Sequence, residues 1–257
     1  MSRVAAFLAP VVLVALLLAG WEIACRALAI PPYFLPAPSA VAVALGAQWP
    51  ALIGSAWNTL TMALLALVLA VAVAAPIALL TALSQTLERA ISPLAVALQV
   101  TPVVAIAPLA LIWAGLDHPE RAVLSLAAVV AFFPFFSGLL TGLKSADPDL
   151  ERLFDLYGAT RTQRLFRLRL PSALPFALEG LKVAAGLAVI GAVVAEFVAG
   201  SGAAQGLAWR ILEAGNRLRT AEMFAALLVL AVLGAGLHAI LNTVERAALA
   251  RWRGRSR

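Results

Sequence analysis

Residues 156–175 read LYGATRTQRLFRLRLPSALP, and they set Arg161, Arg164, Arg167 and Arg169 into a chain that is otherwise mostly apolar. Of the 257 residues, 63% are hydrophobic and 12% charged, with a mean hydropathy of +0.98. A soluble domain carries about 45–50% apolar and about 25% charged residues, so this is a membrane composition. The fold therefore turns on how apolar spans flank the arginine stretch.

Outward from that stretch the chain divides into runs of about 20 residues, each long enough to cross hydrocarbon as a helix. On the N-terminal side lie a span near 122–143 with Pro134 at its middle and a span ending near Trp113 that carries Gln99, Thr101, Pro102 and Pro108. Before these come a span from about Trp57 to Leu80, through Pro76, and a first run at Val4–Trp21. On the C-terminal side spans run at about Leu181–Ala199 and Met223–Val244. Six spans rich in Ala, Leu and Val predict an all-α polytopic membrane bundle, because helices satisfy their own backbone groups in lipid.

The polar hairpin SQTLERAISP, 84–93, and the link GLDHPER, 115–121, separate spans. IPPYFLPAPSA, 30–40, has too many prolines for a helix interior and reads as an extended connector leading into a short amphipathic segment. The first run has the charged start and apolar centre of a signal peptide. No small-x-small site precedes Trp21, so it is read as a retained span.

The net charge is +6 and the isoelectric point about 10.7. No basic patch interleaves with exposed aromatics, so no nucleic-acid partner is expected, and a positive-inside bias accounts for the excess. With the N-terminus cytoplasmic, the inside set is Arg3, Arg89, Lys144, Arg152, Arg161, Arg164, Arg167, Arg169, Lys182, Arg246, Arg251, Arg253, Arg255 and Arg257. Arg26, Arg121, Arg210, Arg217 and Arg219 fall outside. The layout is then a first helix and periplasmic connector at 1–56, a five-span core at 57–246 with a cytoplasmic loop at 144–180, and a basic cytoplasmic tail at 247–257. The single Cys25 excludes an internal disulfide framework and a cysteine metal site.

Polar residues inside the spans leave alternatives open. Gln99 and Thr101 precede Pro102, where a freed carbonyl suits either a translocation path or a hydrogen bond to a neighbouring helix. Pro134 is a kink first and a gate second. Glu196, near the outer end of its span, is either path-lining or an interfacial structural group. His238 and Asn242 lie one turn apart, which suits interhelical hydrogen bonding and does not make a metal site; no cofactor is expected. Ala184, Ala188, Gly191 or Ala192, and Ala195 form a small-residue stripe suited to close helix contact. No arginine lies within a span to meet an anion.

In the loop, Asp147 and Pro148 suit a helix start and Gly158 a helix end, while a second short helix follows from Thr160 and must stop near Pro171. Two short helices joined at a glycine make a projecting elbow. A juxtamembrane basic segment held by anionic lipid would account for the arginines, but not for the spacing from Gly158 to Leu170-Pro171 or for the acids just before it.

That spacing, followed by SALPFALEGLKVAAGLAVIGAVVAEF at 172–197, resembles the signature loop of permease subunits of type I ABC importers, especially the nitrate/sulfonate/taurine branch. FLPAPSAV at 34–41 and TPVVAIAPLALIW at 101–113 resemble the same branch, so the likeness spans nearly the whole chain. It implies the type I importer permease fold and a loop that docks on a cytoplasmic ATPase through Gly158, Ala159, Thr160 and Arg161, with Leu170-Pro171 returning the chain to the membrane. Where the family motif opens with Glu-Ala-Ala, this chain has Arg152-Leu153-Phe154, so the acidic contact falls to Glu151 or Asp155 or is absent. The resemblance further implies a non-catalytic subunit in the cell inner membrane, paired with a second permease copy, two ATPases and an extracytoplasmic solute-binding protein, and in contact with lipid. The binding protein would meet AAQGLAWRILEAGNRLRTAE, 203–222, an amphipathic segment bearing Trp209, Ile211 and Leu212.

No G-x-x-x-x-G-K-[ST] phosphate loop occurs, so ATP-derived energy has to come from another subunit. Expected substrates are sulfonate-, nitrate- or taurine-like anions, with pyrimidine-type vitamin precursors or riboflavin-like compounds as the alternative. From other classes, an ATPase-independent channel or secondary transporter would want more intramembrane ionisable groups, and a non-transporting scaffold would use the arginines to recruit lipid or a partner.

Overall fold

The computed structural model describes residues 3–115, 117–199 and 205–254, all in helices and short connections; Arg255 and Arg257 of the basic tail lie outside the described residues. The helices are α1 (Arg3–Ala27), α2 (Pro38–Leu83), α3 (Gln85–Val100), α4 (Val103–Ala114), α5 (Pro119–Lys144), α6 (Pro148–Leu156), α7 (Arg161–Arg164), a π-helical turn (Leu165–Arg169), α8 (Leu170–Ala199), α9 (Leu207–Asn216) and α10 (Thr220–Gly254). Five helical stretches are long and apolar enough to cross a membrane, and six when the bent pair α3–α4 is counted as one span.

Three expectations about boundaries are corrected. The segment before Trp57 is not separate from the second span: α2 runs unbroken for 46 residues from Pro38 to Leu83. Pro38 opens it, where a missing N–H costs nothing, and each internal proline removes one backbone bond without ending so long an apolar helix. The third span is not one rod. It bends by 99° between α3 and α4, because Thr101 precedes Pro102 and is pushed out of helical geometry, to φ −71° and ψ 124°. The Ala97 carbonyl at the end of α3 accepts from both the Thr101 N–H, at 3.1 Å, and the Thr101 hydroxyl, at 2.7 Å.

The third correction is at Pro171, where the helix does not stop. The π turn carries α7 into α8, with the Leu170 N–H donating to the Leu165 carbonyl five residues back. One wide turn just ahead of the proline absorbs its missing donor, and the Ser172 hydroxyl donates to the Leu168 carbonyl at 2.9 Å.

The chain clusters into two compact units, Met1–Trp57 with Gln205–Ala231, and Asn58–Ala204 with Val232–Arg257. In the first, Glu22 accepts from Arg26 Nε at 2.7 Å and from the Ser39 backbone N–H at 3.0 Å, and Trp21 lies against Phe224 with ring centroids 5.7 Å apart. α9 buries Leu207, Ala208, Ile211 and Ala214, so of its expected apolar residues only Ile211 faces inward fully.

The second unit is built on the antiparallel pair α5–α8. A Cβ placed on Gly142 would lie 2.7 Å from the Ala173 Cα, on Gly138 2.9 Å from the Phe176 carbonyl oxygen, on Gly180 2.8 Å from the Pro134 carbonyl oxygen and on Gly191 2.8 Å from the Ala127 Cα. Backbones thus touch along the whole interface. The small-residue stripe of α8 is the buried face, with Ala184, Ala188, Ala192 and Ala195 at most 2% exposed. Small residues let helices gain dispersion contact where lipid removes any hydrophobic drive to associate.

Candidate functional site: an ion-braced elbow

The elbow between α5 and α8 is specified almost residue by residue. Asp147 caps α6, accepting from the Asp149 N–H at 2.8 Å, and Pro148 takes the first helical position. α6 ends in a Schellman motif: the Gly158 N–H donates to the Asp155 carbonyl and the Ala159 N–H to the Phe154 carbonyl, both at 3.0 Å. Gly158 sits at φ +64°, a left-handed conformation that glycine adopts without steric cost. Two residues on, Thr160 opens α7 with a capping box, accepting from the Gln163 N–H at 3.2 Å while its own N–H donates to Gln163 Oε1 at 2.9 Å.

Ion pairs then brace the two arms. Glu151 Oε1 meets Arg169 Nε at 2.7 Å, and its Oε2 meets Arg164 Nη1 at 3.2 Å. Arg164 also pairs with Asp155, and Arg169 donates to the Ala82 carbonyl at 3.4 Å, which ties the elbow to the end of α2. Glu151 is four-fifths buried and Arg164 and Arg169 nearly as much, so these pairs are less screened than surface ones. Arg152, by contrast, is exposed and among the described residues pairs only with Asp149, at 3.0 Å. Lys144 pairs with Glu88 across α5 and α3. Beside these residues lies a cavity of about 550 Å³ between the α2–α3 corner and the elbow, lined by Ser84, Glu88, Lys144, Glu151 and Arg169 among others.

The outer face of the elbow is open. Leu156 is 85% and Tyr157 82% exposed, with Phe166 exposed beyond them. Gly158, Thr160 and Arg161 are exposed on the same tip, with Ala159 half-buried. Leu170 and Pro171, both half-buried, lie just past the π turn.

The other sequence candidates do not gather at one point. Gln99 is exposed at the end of α3, and Thr101 and Pro102 form the bend itself. Pro134 is half-buried in α5, its carbonyl against Gly180. Glu196 is 2% exposed and accepts from the Thr59 hydroxyl at 3.2 Å, joining α8 to α2. A polar cluster ties α8 to α10: half-buried Lys182 meets exposed Glu179 and half-buried Glu245, each at 2.6 Å, and donates to Asn242 at 3.3 Å, an interhelical hydrogen bond of the kind expected for Asn242. The sequence offered Asn242 as an interhelical hydrogen-bonding residue, but neither its partner Lys182 nor the pairs that Lys182 makes with Glu179 and Glu245.

Comparison with known proteins adds three findings. Residues 73–253 match the family described as binding-protein-dependent transport system inner membrane component. The formylaminopyrimidine transport permease protein ThiX of Halalkalibacterium halodurans is 32% identical over 98% of this chain and 99% of its own length. The taurine transport system permease protein TauC of Escherichia coli is 32% identical over 94% of this chain and 88% of its own. In fold, the chain is similar to a chain of the inward-facing MetNI methionine ABC transporter, with a TM-score of 0.67, 19% identity and coverage of 78% of this chain and 97% of that one.

Proposed function

Because the chain belongs to the family of binding-protein-dependent transport system inner membrane components, the permeases of ABC importers, we propose that the elbow at 147–171 is its coupling element and that ATP-driven closure of two cytoplasmic ATPase subunits acts through it. The observation that carries this reading is an ion-braced projection whose tip leaves Leu156, Tyr157, Thr160 and Arg161 exposed. Braced arms transmit displacement; a flexible loop would absorb it. Glu151 is engaged with Arg164 and Arg169 inside the elbow, and Asp155, exposed, pairs with Arg164, so the docking contact falls chiefly to the tip, Gly158–Arg161 and the adjoining aromatic, while Leu170-Pro171 passes the motion to α8.

In this reading two copies of the chain form the membrane path in the inner membrane and contact its lipid, with both termini cytoplasmic, the core at 57–246, and an extracytoplasmic binding protein delivering solute. Gln99, Thr101 and Pro102, at the 99° bend, border the path. Pro134 and Glu196 shape it from behind, through Gly180 and Thr59. The transported solute is a small sulfonate- or taurine-like anion, supported by the taurine permease relative. A formylaminopyrimidine-like solute is the second reading, supported by the relative covering nearly the full length.

Tagged purification in mild detergent, with mass spectrometry of what accompanies the chain, tests the coupling role. An ATPase is expected with the parent chain and is expected to be lost, together with uptake, from an inserted Gly158→Val/Arg161→Glu variant. Retention of both activities by that variant would sink the assignment, and a chain that moves solute in liposomes with no ATPase would replace it with a channel or carrier.

A further inference from the structure

α5 starts three residues earlier than the apolar run alone suggested, at Pro119, and this brings Arg121 onto the helix. With Ser125 and Val129, one and two turns further along α5, Arg121 lines a cavity of about 420 Å³ closed on the α4 side by Ile106, Ala110 and Trp113. That volume lies within the roughly 300–1,000 Å³ typical of small-molecule sites, and the wall is mostly apolar with a few converging polar groups. Among the described residues Arg121 makes no ion pair within 4.0 Å: the neighbouring Glu120 carboxylate feels its charge but is hydrogen-bonded to His118 Nδ1 at 3.0 Å. The Arg121 charge adds to the positive end of the α5 dipole. The Ser125 hydroxyl, now donating to the Ala122 carbonyl at 3.0 Å, can turn to an oxyanion instead. Trp113, 81% exposed, offers an indole face and N–H at the mouth.

We infer that the α4–α5 cavity is a solute subsite for a small organic anion with an apolar body, the Arg121 guanidinium and Ser125 hydroxyl holding the anionic head and Ile106, Ala110 and Trp113 the body. This deepens the importer reading and rests on it, since it makes the permease itself, and not only its binding protein, discriminate between sulfonate-like and uncharged pyrimidine-like solutes. An anionic lipid headgroup shares the same chemistry, and the test separates the two sources.

The full-length chain in nanodiscs of neutral phosphatidylcholine, without ATP, is titrated with hexanesulfonate, hexanol and sulfate while tryptophan fluorescence is followed, with a Trp113→Phe variant identifying the reporting indole. Saturable binding of hexanesulfonate is expected, with hexanol and sulfate each at least about tenfold weaker, since each lacks one half of the recognition. Arg121→Gln is expected to weaken hexanesulfonate binding by about tenfold or more and Arg121→Lys by less. Equal binding of hexanol, or an unchanged affinity in Arg121→Gln, would overturn the proposal. Loss of the signal on exchange into phosphatidylglycerol nanodiscs would assign the cavity to lipid and overturn it equally. Because no ATPase enters this measurement, failure of the coupling reading leaves its outcome untouched.

Discussion

Gly142 and Gly186 belong to helices of the same pair, yet they carry opposite requirements. A Cβ on Gly142 would press within 3.0 Å of Ala173 backbone atoms, whereas one on Gly186 would meet nothing within 4 Å. Gly142→Val is therefore expected to cost about 1–3 kcal/mol through forced separation of α5 and α8. Gly186→Ala is expected to be neutral or to stabilise by up to about 1 kcal/mol, through helix propensity. Thermal unfolding of the detergent-solubilised chain distinguishes them; equal midpoints for the two variants would refute the close backbone contact. Glu196 follows the same logic with polarity in place of volume. Glu196→Gln keeps an oxygen for the Thr59 hydroxyl and is expected to unfold near the parent temperature, while Glu196→Leu, which removes that acceptor from a buried donor, is expected to lose about 1–3 kcal/mol in the same assay.

Among the elements, the elbow was the most legible in sequence, and for a local reason. An Asp-Pro start, a glycine end and a threonine opening the next helix are short-range signals that a reading of the chain in order finds, while the Gln163 half of the capping box was added by the structure. The π turn was not legible, because it is a compromise between Pro171 and a continuous helix that lies beyond it. Nor was the role of Glu151: its position one residue off the family pattern invited a contact with a partner, and only folding shows it between Arg164 and Arg169, 13 and 18 positions away. The Lys182–Glu245 pair and the Thr59–Glu196 bond were invisible for the same reason, each depending on helices distant in the chain. If Glu151 is the brace, Glu151→Gln should leave α5 and α8 protected but raise amide hydrogen exchange across 158–169. Unchanged exchange there would show that the capping motifs alone hold the elbow.

At the scale of the whole molecule, hydropathy gave the number of crossings once the bent pair is counted as one, and missed the bend because a proline in an apolar run reads the same in a straight span and a broken one. Orientation is the remaining global property, and we propose that the side bearing Arg161, Arg164, Arg167 and Arg169 is the cytoplasmic one, as the positive-inside rule expects. In a Cys25→Ala background, a cysteine at the exposed Tyr157 should react with a membrane-impermeant maleimide only in inside-out vesicles, and one at the exposed Leu218 only in right-side-out cells. Labelling of both from one side would refute the six-crossing layout, and a swapped pattern would invert it.

Since the π turn leaves no break between α7 and α8, Arg161–Ala199 is one stretch of 39 residues, about 58 Å of rod, with the exposed elbow tip at one end and Glu196 close to the other. Such a rod behaves as a crankshaft. Its two ends have a fixed phase, and each residue added or removed along it turns one against the other by about 100°. Angular phase is then something this segment has to keep alongside its small-residue face, because a change of length would turn that face away from α5.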